Sequence, residues 1–454
     1  MTWLALLFVV LSVAMTLIPY GFILLVVCAV ALLVILFPLE KILYVIWIGI
    51  FISAFFGAYL GIPGNDSIFL FRILLVVHCF LFLFMKQKEL GHMRPTRWLF
   101  LLLGLWLVGF LVTLFWAISL SAGLRYVYYI FELSYLIFLS VYYLRTKRVF
   151  FQFSRIIVWI YVLQLALGLV EVFSGWHLPA SGSLFYETTT SAFQPTGLLF
   201  NTNDYALFLV IFLPVVFWRL TFLKTPWRYI WMFTILPVTF YLVVMTYSRL
   251  GLIALFLVVG ALIVQYARQL TWLIGACVTF VVANILLFMP QVLNKVIGII
   301  DSSFTEKGAS TSDRMERYKS LWQIVVDSNF RGVGAGNSPI QLNEYRLGHE
   351  VLQDMILAPH NFWLELLADG GYMGIIALIV FAGFGCYAVY VWWTGRQGSD
   401  QVLRLVPVLI LLVFMFSSVA LSTVIDKRYL WLAVGMAISV INFSLLTDRE
   451  RRTA

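Results

Sequence analysis

Charge is what this 454-residue chain has least of. Asp, Glu, Lys and Arg together make up 11% of it, against 63% apolar residues, and its mean hydropathy is +0.98. No soluble protein of this length hides so much apolar surface, which excludes a water-soluble enzyme or binding module. Cysteine is almost as scarce. Cys28, Cys79, Cys277 and Cys386 each fall inside an apolar run, where they are expected as buried packing residues, with no disulfide framework and no paired ligand spacing. The chain has no HExxH, CxxC, Asp-rich cluster or Walker loop, so nothing supports metal-dependent hydrolysis or use of ATP. It lacks a basic stretch and a small-residue cleavage motif ahead of its first apolar run, which reads as an uncleaved span rather than a signal peptide. Internal repeats, low-complexity tracts and a soluble domain are also missing.

What is there in abundance is long apolar runs. A span needs about 20 apolar residues to cross a hydrocarbon layer, and lipid forces such a run to be helical. About fourteen runs qualify, at roughly 3–18, 21–37, 42–60, 68–85, 98–116, 124–144, 152–173, 204–222, 228–247, 250–267, 270–290, 361–392, 403–423 and 427–446. The expected fold is therefore all-α and polytopic, with 12–14 transmembrane helices. It divides into N-terminal spans (1–290), one polar segment (291–359) and C-terminal spans (360–454). The run 361–392 is too long for one perpendicular span, and Gly370-Gly371 predicts a kink or a separate lead-in helix.

The formal charge of +9 suggests nucleic acid until its placement is considered. Lys86, Lys88, Arg94 and Arg97 fill one loop; Arg145, Lys147, Arg148 and Arg155 another; Arg219, Lys224 and Arg228 a third; and Arg449, Arg451 and Arg452 follow the last span. All lie on one side of the helix count, as the positive-inside rule requires. This places both termini in the cytoplasm and the polar segment outside, and it argues against a nucleic-acid partner.

The polar segment concentrates the residues that could do chemistry. From Ser312 or Asp313 as N-cap, Met315, Tyr318, Leu321, Trp322 and Val325 recur at helical spacing as far as Ser328-Asn329. Arg314 and Arg317, three apart, share a face of that helix. Arg249 stands at the outer junction of two spans, where a charge is usually paired or functional; Arg72 and Arg125 lie near outer span ends and could extend such a site or anchor the helices. Planar guanidinium forks bind phosphate oxygens bidentately, so arginines gathered on one side suit a diphosphate. His360, where the polar segment meets the next span, is the natural general base, or else a structural residue at a helix start. Asn361, Glu365 and Asp369 follow four apart, as groups that orient a sugar or the histidine, or as a hydrated face. His177 and His349 read as solvated loop. Asn201-Thr202-Asn203-Asp204 reads as an N-cap before a span. Gly332-Val-Gly-Ala-Gly-Asn337 reads as a tight turn at the membrane surface, because it lacks the strand that a dinucleotide-binding loop follows.

In order, these pieces resemble one family. Ser248-Arg249 opens a span, and an arginine precedes Trp322. Arg331-Gly-Val-Gly-Ala-Gly-Asn337 follows, and His360-Asn-Phe-Trp-Leu-Glu-Leu-Leu-Ala-Asp-Gly-Gly371 leads into the next helix. Upstream stands Gly197-Leu-Leu-Phe-Asn-Thr-Asn203-Asp-Tyr-Ala. The pattern, over about 195–390, is similar to the O-antigen ligase/polymerase superfamily of bacterial envelope glycosyltransferases. That family has a single arginine before the tryptophan, whereas Arg314 and Arg317 both qualify here.

The resemblance implies a C-type glycosyltransferase architecture and a metal- and cofactor-independent inverting transferase at the outer face of the bacterial cytoplasmic membrane. The donor would be an undecaprenyl-diphosphate-linked oligosaccharide and the acceptor a glycan or a lipid core. His360 would be the base and Arg249, Arg314, Arg317, Arg72 and Arg125 would hold the diphosphate; Asn361, Glu365, Asp369 and Asn203 would support the acceptor. A chain-length regulator is a possible partner, and a monomer or weak oligomer is expected. A polymerase is favoured over a ligase to lipid A-core, since no long C-terminal extension of the kind that goes with protein acceptors is present. A lipid-linked glycan transporter or flippase is the alternative of another class, with Glu132 and Glu171 as its intramembrane charges.

Overall fold

The computed structural model describes residues 27–28, 37–62, 65–179, 181, 192–266, 308–347, 357–395 and 400–453. The expected spans at 3–18 and 270–290, most of 21–37, Cys277 and His349 lie outside these residues. The chain divides into two units, Met1–Gly91 and His92–Ala454.

In the first unit, α1 (Leu39–Ser53) and α2 (Leu70–Leu83) pack together, joined through a two-stranded antiparallel hairpin, β1 (Gly61–Ile62) and β2 (Asn65–Phe69). The run 42–60 thus leaves the helix at Ser53 and continues as turn and 3-10 helix. Arg72, in the first turn of α2, lies over the Phe69 ring at 4.6 Å.

The second unit is built from α3 (Arg97–Thr113), α4 (Leu120–Tyr143), α5 (Lys147–Ser174), α6 (Thr202–Leu220), α7 (Trp227–Met245), α8 (Arg249–Tyr266), α9 (Gly308–Asp327), α10 (Ser338–Leu347), α11 (Phe362–Gly370), α12 (Tyr372–Thr394), α13 (Gln401–Ala420) and α14 (Arg428–Thr453). Eight helices among the described residues are long and apolar enough to cross a membrane: α3 with its flanking 3-10 turns, α4 to α7, and α12 to α14. The protein is an all-α, multi-pass membrane protein.

Two helices form the core. Of the apolar window of α6, 89% is buried inside the protein, and of that of α14, 83%, against 28% for α7. A helix that is apolar all round belongs at the centre, and α6 packs on α5, α7, α8, α13 and α14. Asn201 caps it, its side chain accepting from the Asn203 N–H at 2.8 Å. Ser119 and Thr146 cap α4 and α5 in the same way, each satisfying an orphan N–H of a first turn.

The long run 361–392 is two helices, as Gly370-Gly371 led us to expect. At Gly371 φ is +53°, and an added Cβ would lie 2.1 Å from Phe330 O, so no other residue fits. The chain turns there from the short α11 into the spanning α12. The cysteines differ from expectation. Cys28 and Cys79 are half-buried and Cys386 is exposed on α12, since the lipid-facing side of a span is as apolar as its packed side.

Candidate functional site

One end of the second unit carries α9 and the short helices α10 and α11, which pack on one another. Leu321, Ile324 and Val325 of α9 meet Leu342 of α10 and Ala368 of α11 in a small apolar core. The helix therefore does run past Val325, but it begins at Gly308, ahead of the N-cap read at Ser312 or Asp313. Asp313 is instead the i,i+4 partner of Arg317, Oδ2 to Nη2 at 2.6 Å.

That pairing separates the two arginines. Arg317 also donates Nη1 to the Ala358 carbonyl at 3.0 Å, two residues before the histidine. Its fork is spent on holding chain. Arg314, half-buried, makes no such bond among the described residues, and its charge is the stronger of the two arginine charges felt by His360.

His360 itself is held in an unusual backbone state. Its φ is +54°, uncommon for a non-glycine residue and typical of constrained functional sites. The Tyr318 hydroxyl donates to its carbonyl at 2.8 Å, and Asn361 caps α11, its Oδ1 accepting from the Trp363 and Leu364 N–H groups at 3.1 and 3.2 Å. The imidazole is half-buried. Burial first, then the Arg314 and Arg317 charges, lower its pKa from 6.5 to about 4, partly offset by a hydrogen bond to the Leu421 backbone and by Asp313. The ring is therefore neutral at pH 7, and its Nδ1 is a buried atom with no hydrogen-bond partner among the described residues. A neutral imidazole with a free nitrogen beside fixed cations can accept a proton.

The carboxylates of α11 are not a hydrated face. Glu365 is 4% exposed and Asp369 fully buried. Burial raises both, and repulsion from Asp369 and Asp426 pushes Glu365 up further, while Asp369 sits at about 7. Asp369 is held lower because its Oδ1 accepts from the Ser338 N–H at 2.6 Å, at the positive end of α10.

The glycine run makes that contact possible. It lies between α11 and the adjacent ends of α3 and α4. Val333 and Gly334 donate to the Ala368 and Asp369 carbonyls at 2.9 Å, Ala335 donates to Thr113 Oγ1 at 3.0 Å, and Asn337 Oδ1 accepts from Ser119 N–H at 2.6 Å. At Gly334, with φ +100°, a Cβ would lie 2.5 Å from Ala117 Cα.

The other residues expected at the site are distributed less evenly. Arg249 is the first residue of α8 and half-buried; Ser248 caps that helix through Oγ and the Gly251 N–H at 3.3 Å. The helix packs on α6 and α13, whose ends at this level carry Asn203 and Leu421. Asn203 is half-buried in the first turn of α6. Arg125 is exposed on α4 and has no hydrogen bond or ion pair among the described residues. Arg72 belongs to the first unit.

Sequence reading missed a polar cluster beside these groups. Lys427 pairs with Asp204 of α6, Nζ to Oδ2 at 3.1 Å, and Arg428 with Glu132 of α4 at 3.1 Å. Thr423 donates to Asp426 at 2.8 Å. Together these pin the loop that supplies Leu421. The available signal was Asp426-Lys427-Arg428 itself: three consecutive charges in a chain of which only 11% is charged. His177 was misread as solvated. It is 1% exposed, with Nε2 2.7 Å from the Ala192 carbonyl and Nδ1 3.0 Å from Thr196 Oγ1. Glu171 accepts from the Thr196 and Gly197 N–H groups at 2.6 and 2.7 Å, so both residues knit the loop before α6.

The O-antigen ligase family model matches residues 235–379, the stretch from α7 to α12 that holds Arg249, Arg314, Arg317, His360 and Asp369. That match supports the resemblance to the O-antigen ligase/polymerase superfamily. It is also 24% identical over 411 residues to the teichuronic acid biosynthesis protein TuaE of Bacillus subtilis (strain 168), covering 86% of this chain and 81% of that one. The family match and the TuaE likeness together support a membrane polysaccharide polymerase- or ligase-type function.

Proposed function

We propose that the protein is a glycosyltransferase that joins polysaccharide repeat units carried on undecaprenyl diphosphate. The reading places the site at the extracytoplasmic face of the cytoplasmic membrane, because the basic loops gather at the opposite end of the bundle. One observation carries it: His360 offers a neutral imidazole with an unpartnered Nδ1 beside the Arg314 charge.

In the reaction, His360 Nδ1 takes the proton of the acceptor hydroxyl. The acceptor oxygen attacks the anomeric carbon from the face opposite the diphosphate, and the bond from that carbon to the diphosphate oxygen breaks. Undecaprenyl diphosphate leaves with the electron pair, and the anomeric configuration inverts. Arg314 and Arg249 take up the charge that develops on the leaving group, which fixed guanidiniums do without reorganisation. Arg317, tied to Asp313 and Ala358, positions His360 instead of touching the donor. Asn361 caps α11 beside the base, and Asp369 holds the start of α10. General-base assistance of this kind contributes about two to four orders of magnitude.

Growth of a chain is favoured over transfer to a lipid core, since the relative over most of the chain is named for the biosynthesis of a polysaccharide. Transport without chemistry fits less well. Glu132 and Glu171, its two intramembrane charges, are engaged by Arg428 and by backbone N–H groups. The test supplies purified protein with lipid-linked repeat units. A ladder of longer lipid-linked glycans supports the polymerase. Consumption that begins only when a core lipid is added makes the protein a ligase, and intact donor moved across a vesicle membrane makes it a transporter.

A further inference from the structure

The end of the bundle opposite His360 holds a second cluster that this chemistry does not use. Arg155 lies on the third turn of α5, and Arg219 one residue before the end of α6. The Arg219 guanidinium sits 3.4 Å over the Phe151 ring and donates Nη1 to the Phe151 carbonyl at 2.9 Å, which fixes the plane of the fork. It is also close enough to Arg155 for the two cations to repel. Neither has a carboxylate partner among the described residues.

Both arginines line one cavity of about 200 Å³ between α5, α6 and α7. Its remaining wall is apolar, with Val162 and Ile235 and the indoles of Trp159 and Trp231. The indoles are 67% and 41% exposed. Loop cations such as Lys224 or Lys86 are simply exposed, as a topology signal requires. Arg155 and Arg219 differ in lining one cavity together, with Arg155 exposed at its mouth and Arg219 half-buried against apolar walls. Two like charges held together beside hydrocarbon are unfavourable unless an anion joins them.

The cavity has the polarity of one end of a phospholipid: two guanidinium forks suited to phosphate oxygens, then apolar walls, with tryptophans of the kind found at membrane interfaces. We propose that Arg155 and Arg219 bind the phosphodiester headgroup of an anionic phospholipid, whose acyl chains run along the apolar faces of α5 and α7. Basic pockets between spanning helices on the cytoplasmic side commonly take such headgroups. Bound there, the lipid ties α5 and α7 to the central helix α6. This inference is independent of the reaction proposed for the other end.

The experiment uses the full chain in neutral detergent, with native mass spectrometry and thermal unfolding after addition of phosphatidylglycerol or phosphatidylcholine. A surface cation contributes about fivefold to binding an anionic lipid, so two give a preference of about 30-fold for phosphatidylglycerol. Arg155→Gln, at an exposed position, should lower that preference about fivefold, and Arg155→Gln with Arg219→Gln should abolish it together with the thermal gain. Lys224→Gln should leave both unchanged. Undiminished preference in the Arg155→Gln protein would overturn the proposal even if the double variant does not fold. So would a thermal gain reproduced in full by inorganic phosphate alone, which would make this a free-anion site.

Discussion

Replacing Arg314 with glutamine should move the pH at which the enzyme loses activity, and the direction follows from the structure. His360 is brought from 6.5 to about 4 by burial first, then by Arg314, then by Arg317. At 1.36 kcal/mol per pH unit, that is roughly 3 kcal/mol favouring the neutral ring. Burial supplies the largest part and the Arg314 charge comes second; a nearby cation of this kind shifts a titrating group by on the order of one pH unit. A nearby cation disfavours imidazolium, so removing it raises the histidine pKa. The base is then protonated, and lost, at a higher pH. In kcat/KM measured against pH with lipid-linked donor, which reports the free enzyme, the wild-type acid limb should fall near pH 4. In Arg314→Gln it should move up by about one unit, on a lower plateau because a diphosphate ligand is gone. An acid limb that stays put or moves down would refute the pairing of Arg314 with His360.

Tyr318→Phe removes the hydrogen bond to the His360 carbonyl; a loss of about 0.5–1.5 kcal/mol should appear as a two- to tenfold drop in kcat with an almost unchanged melting temperature. Asp369→Ala leaves the buried Ser338 N–H without its acceptor and should cost about 1–3 kcal/mol in thermal or denaturant unfolding, whereas Asp369→Asn, which keeps an acceptor oxygen, should cost less. Lys427→Ala strands Asp204, only 5% exposed at its side chain, for a loss of up to about 3 kcal/mol, the low end for a buried pair since Lys427 is itself partly solvated. The double variant with Asp204→Asn should recover part of it. Gly334→Ala should destabilise by more than about 1 kcal/mol, because its backbone conformation excludes a Cβ.

The features legible in the sequence are those with a local cause. Gly370-Gly371 announced the break between α11 and α12 because no side chain fits there, and Asn201 announced the start of α6 because its oxygen reaches its own first turn. Ser248-Arg249 likewise marked the start of α8. What could not be read is set by contacts between distant segments. Asp369 and Ser338 are 31 residues apart, so nothing near Asp369 shows that it terminates another helix. Arg314 and Arg317 look alike in sequence, and only the position of Asp313 and of the Ala358 carbonyl tells them apart. Asp204 and Lys427 are separated by most of the second unit, and His177 passed for a solvated residue because its partners lie 15 and 19 residues further along the same loop. Lipid-facing Cys386 shows the converse: in a bilayer, apolar sequence does not mean buried.

The most direct test of the central claim is single-turnover cleavage of a lipid-linked donor, in the presence of acceptor, by wild type and His360→Ala at matched donor occupancy. The account predicts that donor still binds, while transfer falls by about two to four orders of magnitude. Transfer by the variant at the wild-type rate would show that His360 is not the base, and would leave the buried carboxyls of α11 as the groups to examine.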